Sequence, residues 1–161
     1  MHPMFSRRDW LAGYLAAAGV GAALLAVLLR VAGALPWSQS VGLGVLLAYL
    51  LAGDCLFPWY TGRVRSLGAT HPVKLVVQEF GAVVLATGVW ILWAQFLGRA
   101  FDASVGMRAV TPYLVAVGLL VNCLSVAVHY LLRAVQASRE AAVQARDAEL
   151  RALKAQVNPH F

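Results

Sequence analysis

Apolar residues in this chain fall into long runs rather than the alternating pattern of a strand. The runs cover residues 10–31, 41–59, 75–97 and 110–132. Each run is long enough for a helix of about 20 residues to cross the hydrocarbon core of a bilayer. From residue 133 to residue 157 Ala, Arg, Gln and Glu dominate, and Gly and Pro are absent, which is typical of a helix. The pattern therefore predicts an all-α protein, a four-span transmembrane helical bundle whose last span continues into a cytoplasmic helix.

The segment after the last span carries a weak coiled-coil pattern. The apolar residues follow the three- and four-residue steps of a seam between helices: Val143, Leu150, Leu153 and Val157. Arg139 and Arg146 interrupt this seam, so we expect a marginal coiled coil that needs further contacts. An ordinary solvated helix with a few apolar residues is the other interpretation.

Composition agrees with a membrane protein. Of 161 residues, 61% are hydrophobic and 12% are charged, and the mean hydropathy is +0.72, outside the range of soluble domains. The net charge is +6, but the basic residues flank apolar runs and form no patch interleaved with aromatic residues. This distribution favours membrane lipid headgroups as the partner and argues against direct nucleic-acid binding.

The basic residues also predict the orientation of the spans. Most of them fall on one side, which places both termini and the middle loop in the cytoplasm by the positive-inside rule. The external loops, at residues 34–40 and 98–109, are too short for a folded sensor domain. The basic residues assigned to the cytoplasmic side are Arg7, Arg8, Arg63, Arg65, Lys74, Arg133 and Arg139, and those on the other side are Arg30, Arg99 and Arg108.

Small residues at every fourth position predict where helices approach each other closely. Such stripes also arise by chance in spans rich in Ala and Gly. The stripes are Gly13, Ala17 and Gly21 in the first span, and Gly44, Ala48 and Ala52 in the second.

Cys55 and Cys123 have no C-x-x-C partner, so we interpret them as small apolar side chains.

Polar residues inside the spans need partners, because burying a charge in hydrocarbon is costly. Asp54, Glu79 and His129 each lie near the cytoplasmic end of a span. They could form one polar cluster, helped by Lys74 or Arg63, that couples helix packing to the cytoplasmic helix. The equally weighted alternative is three separate side chains that reach toward the headgroups. Asn122, at mid-span, is the best candidate for a hydrogen bond between helices.

The last residues, Q-V-N-P-H-F at 156–161, combine a helix break with a histidine. Pro159 stops or kinks the arriving helix, and Asn158 suits the N-cap of a new turn. His160 would then lie in a first turn, where the helix dipole favours the neutral, nucleophilic imidazole. A capped helix end with an inert histidine is the alternative. A metal site at His160 is disfavoured, because no second ligand lies at a suitable spacing.

The segment L-K-A-Q-V-N-P-H-F at 153–161 resembles the phosphoacceptor box of the LytS/YehU-type (AlgZ-like) sensor histidine kinases, whose pattern is L-x-x-Q-I/V-N-P-H-F followed by L-F-N. The resemblance implies that His160 receives the γ-phosphoryl group of ATP and passes it to a LytTR-type response regulator. It also implies a homodimer in the bacterial inner membrane, with the cytoplasmic helix as a signalling helix.

The resemblance implies three regions: a transmembrane sensor domain at 1–132, a linker helix at 133–157, and the start of the dimerisation region at 153–161. The Asn- and Gly-rich ATP-binding domain of that family is absent, and no G-x-x-x-x-G-K-S/T motif occurs. We therefore expect the N-terminal part of a longer kinase, with ATP and Mg²⁺ bound by the missing domain. The alternative function is a small four-span membrane scaffold or transporter subunit, although the halves show no convincing inverted repeat.

Overall fold

The computed structural model describes residues 8–56 and 72–157, and these residues form four α-helices without any strand. Helix α1 spans Arg8–Val31, α2 spans Trp37–Asp54, α3 spans Pro72–Ala100 and α4 spans Ser104–Val157. The all-α class predicted from the sequence is confirmed. Three of the described helices, α1, α3 and α4, are long and apolar enough to cross a membrane.

Helix α2 differs from the span predicted at residues 41–59. It begins earlier, at Trp37, directly after Pro36 in an extended conformation with φ −63° and ψ 152°. It ends at Asp54, and the turn at Cys55 and Leu56 follows, so the predicted end was too late; residues 57–59 lie outside the described part. Its 18 residues correspond to about 27 Å, and both ends carry polar side chains. A fourth membrane crossing at α2 therefore stays a prediction.

The two described turns are short and lie against each other. Residues 32–36 join α1 to α2, and residues 101–103 join α3 to α4, so the external loop predicted at 98–109 is mostly helical. A Cβ atom on Gly106 would lie 2.5 Å from the carbonyl oxygen of Gly33, which shows how closely α4 approaches the first turn. Gln39 Nε2 also donates a hydrogen bond to the carbonyl of Phe101 at 3.0 Å. Glycine at these positions permits this contact.

The α3–α4 turn has the hydrogen bonds of a Schellman motif. The amide of Ala103 donates to the carbonyl of Gly98 at 2.7 Å, and the amide of Asp102 donates to the carbonyl of Arg99 at 3.2 Å. Asp102 has a φ of 53°, in the left-handed region that such a helix end requires. These bonds satisfy carbonyls that the end of α3 would otherwise leave without donors.

Contacts along the helices describe an up-down-up-down arrangement. Gly44 of α2 lies against the backbone of Ala22 and Ala26 in α1. The indole of Trp90 in α3 reaches the backbone of α2 at Leu47. A Cβ atom on Gly98 of α3 would lie 2.5 Å from the side chain of Met107 in α4. The largest fully buried side chains of this core are Trp90, Leu29, Leu43, Leu47, Met107, Leu114 and Val110.

One predicted small-residue stripe is confirmed in part and the other is wrong. Gly44 and Ala48 of α2 are buried, as predicted, whereas Ala52 is only partly buried. Cβ atoms on Gly13 and Gly21 would meet nothing within 4 Å. The buried stripe of α1 lies one residue further along, since the residues that face the core are Ala18, Ala22, Leu25, Ala26 and Leu29.

The chain divides into two compact units, Met1–Val126 and Ala127–Phe161. In the second unit, every residue from 134 to 155 is exposed. Helix α4 has no interruption from Ser104 to Val157, although it includes Pro112. The domain limits at 132 and 153 stay predictions.

Candidate functional site

The predicted phosphoacceptor, His160, lies outside the described residues, as do Asn158 and Pro159. The structure describes the start of the same motif, because α4 ends at Val157. Leu153, together with its neighbours up to residue 155, is exposed on this helix. The described part of α4 therefore includes the first five residues of the motif, 153–157.

The apolar side chains predicted to form a seam are exposed along the helix. Val143 is 58% exposed, and Leu150 and Leu153 are each 56% exposed. Each seam arginine is followed directly by an acidic residue, Glu140 after Arg139 and Asp147 after Arg146. The coiled coil stays a prediction, since these exposures refer to a single chain.

A buried polar contact joins α3 to α4 in the middle of the bundle. Asn122 Nδ2 donates one hydrogen bond to Thr87 Oγ1 at 3.3 Å and another to the carbonyl of Gly118 at 3.0 Å. Asn122 is 1% exposed and Thr87 is 3% exposed. The prediction that Asn122 makes a hydrogen bond between helices is confirmed.

Two further polar contacts cross between helices. Trp90 Nε1 donates to the carbonyl of Leu47 at 3.0 Å, in a fully buried position. Nearer the described turns, Gln95 Nε2 donates to Thr111 Oγ1 at 2.7 Å, and Thr111 Oγ1 donates to the carbonyl of Met107 at 2.7 Å. These bonds fix α3 against both of its neighbours, because buried polar groups in an apolar bundle need partners.

The end of α2 is joined to α1 and α4 by hydroxyl groups. Tyr14 in α1 donates a hydrogen bond to the carbonyl of Ala52. Ser125 Oγ in α4 donates a hydrogen bond to the carbonyl of Cys55 at 2.9 Å. Three helices therefore meet at this level of the first compact unit.

The polar cluster proposed for Asp54, Glu79 and His129 stays a prediction. Asp54 is the last residue of α2 and is partly buried, whereas Glu79 is buried on the inner face of α3. His129 belongs to the second compact unit, where its ring lies edge-to-face against Tyr130 with 5.7 Å between centroids. Lys74 is exposed, and Arg63 lies outside the described residues.

Sequence reasoning missed Tyr14, Ser125 and Trp90 as residues that join helices. In each case the acceptor is a backbone carbonyl, and no residue type at the acceptor position marks it. Trp90 falls in the middle of an apolar run, where an indole N–H needs a partner. That position is the one signal that could have identified it.

Comparison with known proteins identifies no relative. No family model matches the chain, and neither a curated protein nor a solved structure shows significant similarity to it. The residue pattern at 153–161 and the contacts described above are therefore the basis for a functional proposal.

Proposed function

We propose that this chain is the membrane-bound N-terminal part of a sensor histidine kinase of the LytS/YehU type. In this proposal His160 accepts the γ-phosphoryl group of ATP and passes it to an aspartate of a LytTR-type response regulator. The observation that carries the proposal is the motif at residues 153–161, which begins within the last residues of α4 and comes after an apolar helical bundle in the chain.

The chemistry assigned to this chain is limited to the phosphoacceptor. A neutral imidazole nitrogen of His160 would attack the γ-phosphorus, and ADP would leave. ATP bound with Mg²⁺ in a further domain would supply the phosphoryl group and the charge neutralisation of the transfer. The sequence N-P-H predicts a helix break followed by a first turn that contains His160, and the neutral ring is favoured in such a turn.

The membrane part of the proposal has four crossings, with α2 as the second. Both termini then lie in the cytoplasm of a bacterial inner-membrane protein, on the side where ATP is available. The short turns at residues 32–36 and 101–103 leave no room for a folded domain within them. The stimulus would therefore act on the bundle, at its surface or through a partner.

A phosphorylation assay on the product of the complete gene tests the proposal. Membranes that contain it are incubated with radiolabelled ATP and Mg²⁺. The expected label on the protein is acid-labile and alkali-stable, as a phosphohistidine is. The His160→Gln variant is expected to lose at least 90% of the label, whereas His71→Gln is the matched control and is expected to keep it.

Two results would contradict the proposal. Equal labelling of wild type and His160→Gln would mean that another residue is phosphorylated. The absence of label from the wild-type protein, under conditions in which a known histidine kinase is labelled, would favour a membrane scaffold or transporter subunit instead.

A further inference from the structure

The C-terminal end of α2 has an unusual set of hydrogen-bond donors. Backbone amides supply two of them, since Cys55 donates to the carbonyl of Leu51 and Leu56 donates to that of Gly53, each at 3.1 Å. Side chains from other helices supply two more. Tyr14 donates to the carbonyl of Ala52, and Ser125 donates to that of Cys55.

These two hydroxyl groups act as hydrogen-bond donors to backbone carbonyls at the C-terminal end of α2. The last carbonyls of a helix lack intrahelical donors, and the last turn of α2 contains no basic residue that could compensate. In an apolar surrounding without water, an unbonded carbonyl is costly. The bonds from Tyr14 and Ser125 therefore stabilise the end of α2 and fix α1 and α4 to it. We call Tyr14, Ala52, Cys55 and Ser125 the α2 cap.

The α2 cap lies where α4 leaves the first compact unit. Ser125 is one residue before Val126, at which that unit ends. Helix α4 continues without interruption to Val157, and its residues from 134 to 155 are exposed. Ser125 therefore lies on the same helix that continues along the chain to the exposed residues 134–155.

We propose that the α2 cap is a conformational switch, in which the Ser125–Cys55 bond holds α4 and its release alters the conformation of α4 beyond Val126 and the phosphorylation of His160. The last part of this inference rests on the proposed kinase function. A single hydrogen bond between membrane helices contributes modestly to stability, so its loss shifts an equilibrium between two packings by roughly threefold to tenfold. A shift of that size suits a reversible switch.

Hydroxyl deletion tests the switch, with controls on exposed positions of the same residue type. Ser125→Ala removes the donor, and Ser125→Thr restores a hydroxyl. Ser138→Ala is the matched control, since Ser138 lies in the exposed part of α4. Tyr14→Phe removes the second donor, and its control is Tyr113→Phe, because Tyr113 is 55% exposed.

Two measurements are made on each variant of the complete protein in lipid nanodiscs. The first is amide hydrogen exchange in residues 127–155, which reports the conformation of α4 without any requirement for kinase activity. The second is autophosphorylation. We expect Ser125→Ala to change exchange in that segment by about threefold or more and phosphorylation by a similar factor. Ser125→Thr is expected to return both toward wild type, and Ser138→Ala to leave both unchanged.

A disulfide supplies an independent test of the geometry. In a Cys123→Ser background, Ser125→Cys places a thiol beside the native Cys55, and oxidation with copper phenanthroline joins α2 to α4 by a covalent bond. We expect an intramolecular disulfide that a reductant reverses. Exchange in residues 127–155 is expected to decrease in the oxidised form relative to the reduced form.

The outcomes separate the switch from the kinase. If Ser125→Ala and Ser138→Ala behave alike in both measurements while the wild type is phosphorylated, the switch is wrong and the proposed function stands. If exchange responds to Ser125→Ala but no variant is phosphorylated, the proposed function is wrong, and the α2 cap controls α4 in a protein of another kind. Failure of the disulfide to form would overturn the described contact itself.

Discussion

Asn122 in α4 donates a hydrogen bond to Thr87 in α3 across 3.3 Å, one helical turn from a glycine at which the two helices pack closely. Gly118 creates that approach, because a Cβ atom there would lie 2.8 Å from Thr87 Cγ2 and 3.0 Å from the Trp90 ring. The missing side chain at Gly118 and the polar pair therefore depend on each other. Close packing brings the amide within reach of the hydroxyl, and the bond stabilises the close packing.

We predict that Asn122→Ala lowers the free energy of unfolding by about 1 to 2 kcal/mol, as expected for a lost hydrogen bond between membrane helices and a small cavity. The measurement is reversible unfolding in mixed micelles. A double-mutant cycle with Thr87→Val separates the pair interaction from the cavity, and we expect a coupling of about 0.5 to 1.5 kcal/mol. Strictly additive effects of the two substitutions would show that the bond contributes nothing.

Two glycines of α2 offer a matched comparison of helix packing. A Cβ atom on Gly44 would lie 2.8 Å from the backbone of Ala22 and Ala26, whereas one on Gly42 would meet nothing within 4 Å. We expect Gly44→Ala to destabilise the bundle by about 1 to 3 kcal/mol, because α1 and α2 must separate. Gly42→Ala is expected to stabilise it by up to about 1 kcal/mol through helix propensity. Thermal unfolding in one detergent measures both, and shifts of the same sign would contradict the described α1–α2 packing.

The sequence predicted what the physics of burial determines. Long apolar runs predicted the positions of α1, α3 and α4. In lipid, a helix must pair its own backbone N–H and C=O groups, and its side chains are mostly apolar. Asn122 was identified for the same reason, since an amide within an apolar run needs a partner on a neighbouring helix.

Details that depend on neighbouring helices were not predictable. Helix α1 is so rich in Ala and Gly that two of its faces, one with Gly13 and one with Ala18, carry small residues at every fourth position. Which of the two faces packs against α2 depends on the shape of α2. The end of α2 was missed because the apolar run continues through Cys55 and Leu56. The contacts of Tyr14 and Ser125 were missed because their acceptors are backbone carbonyls.

The α3–α4 turn gives a prediction about backbone conformation. Asp102 has a φ of 53°, which costs a β-branched residue the most and glycine nothing. We expect Asp102→Gly to raise the free energy of unfolding by up to about 1 kcal/mol, and Asp102→Val to lower it by about 1 to 2 kcal/mol. Asp102→Asn is the control and is expected to resemble the wild type. The same unfolding assay applies, and a Val variant as stable as the Gly variant would show that the turn has another conformation in the membrane.

The homodimer of the proposed kinase gives a prediction about the exposed part of α4. Leu150 lies on the predicted seam with Val143 and Leu153, whereas Ala148 lies about 160° away from Leu150 around the helix. In a background without Cys55 and Cys123, we expect Leu150→Cys to form a disulfide-linked dimer in oxidised membranes and Ala148→Cys to form at least about fivefold less. Non-reducing gel electrophoresis measures the dimer fraction. Equal crosslinking at both positions would indicate random collision of solvated helices, because only a fixed seam brings one side of α4 to its own copy and keeps the opposite side apart.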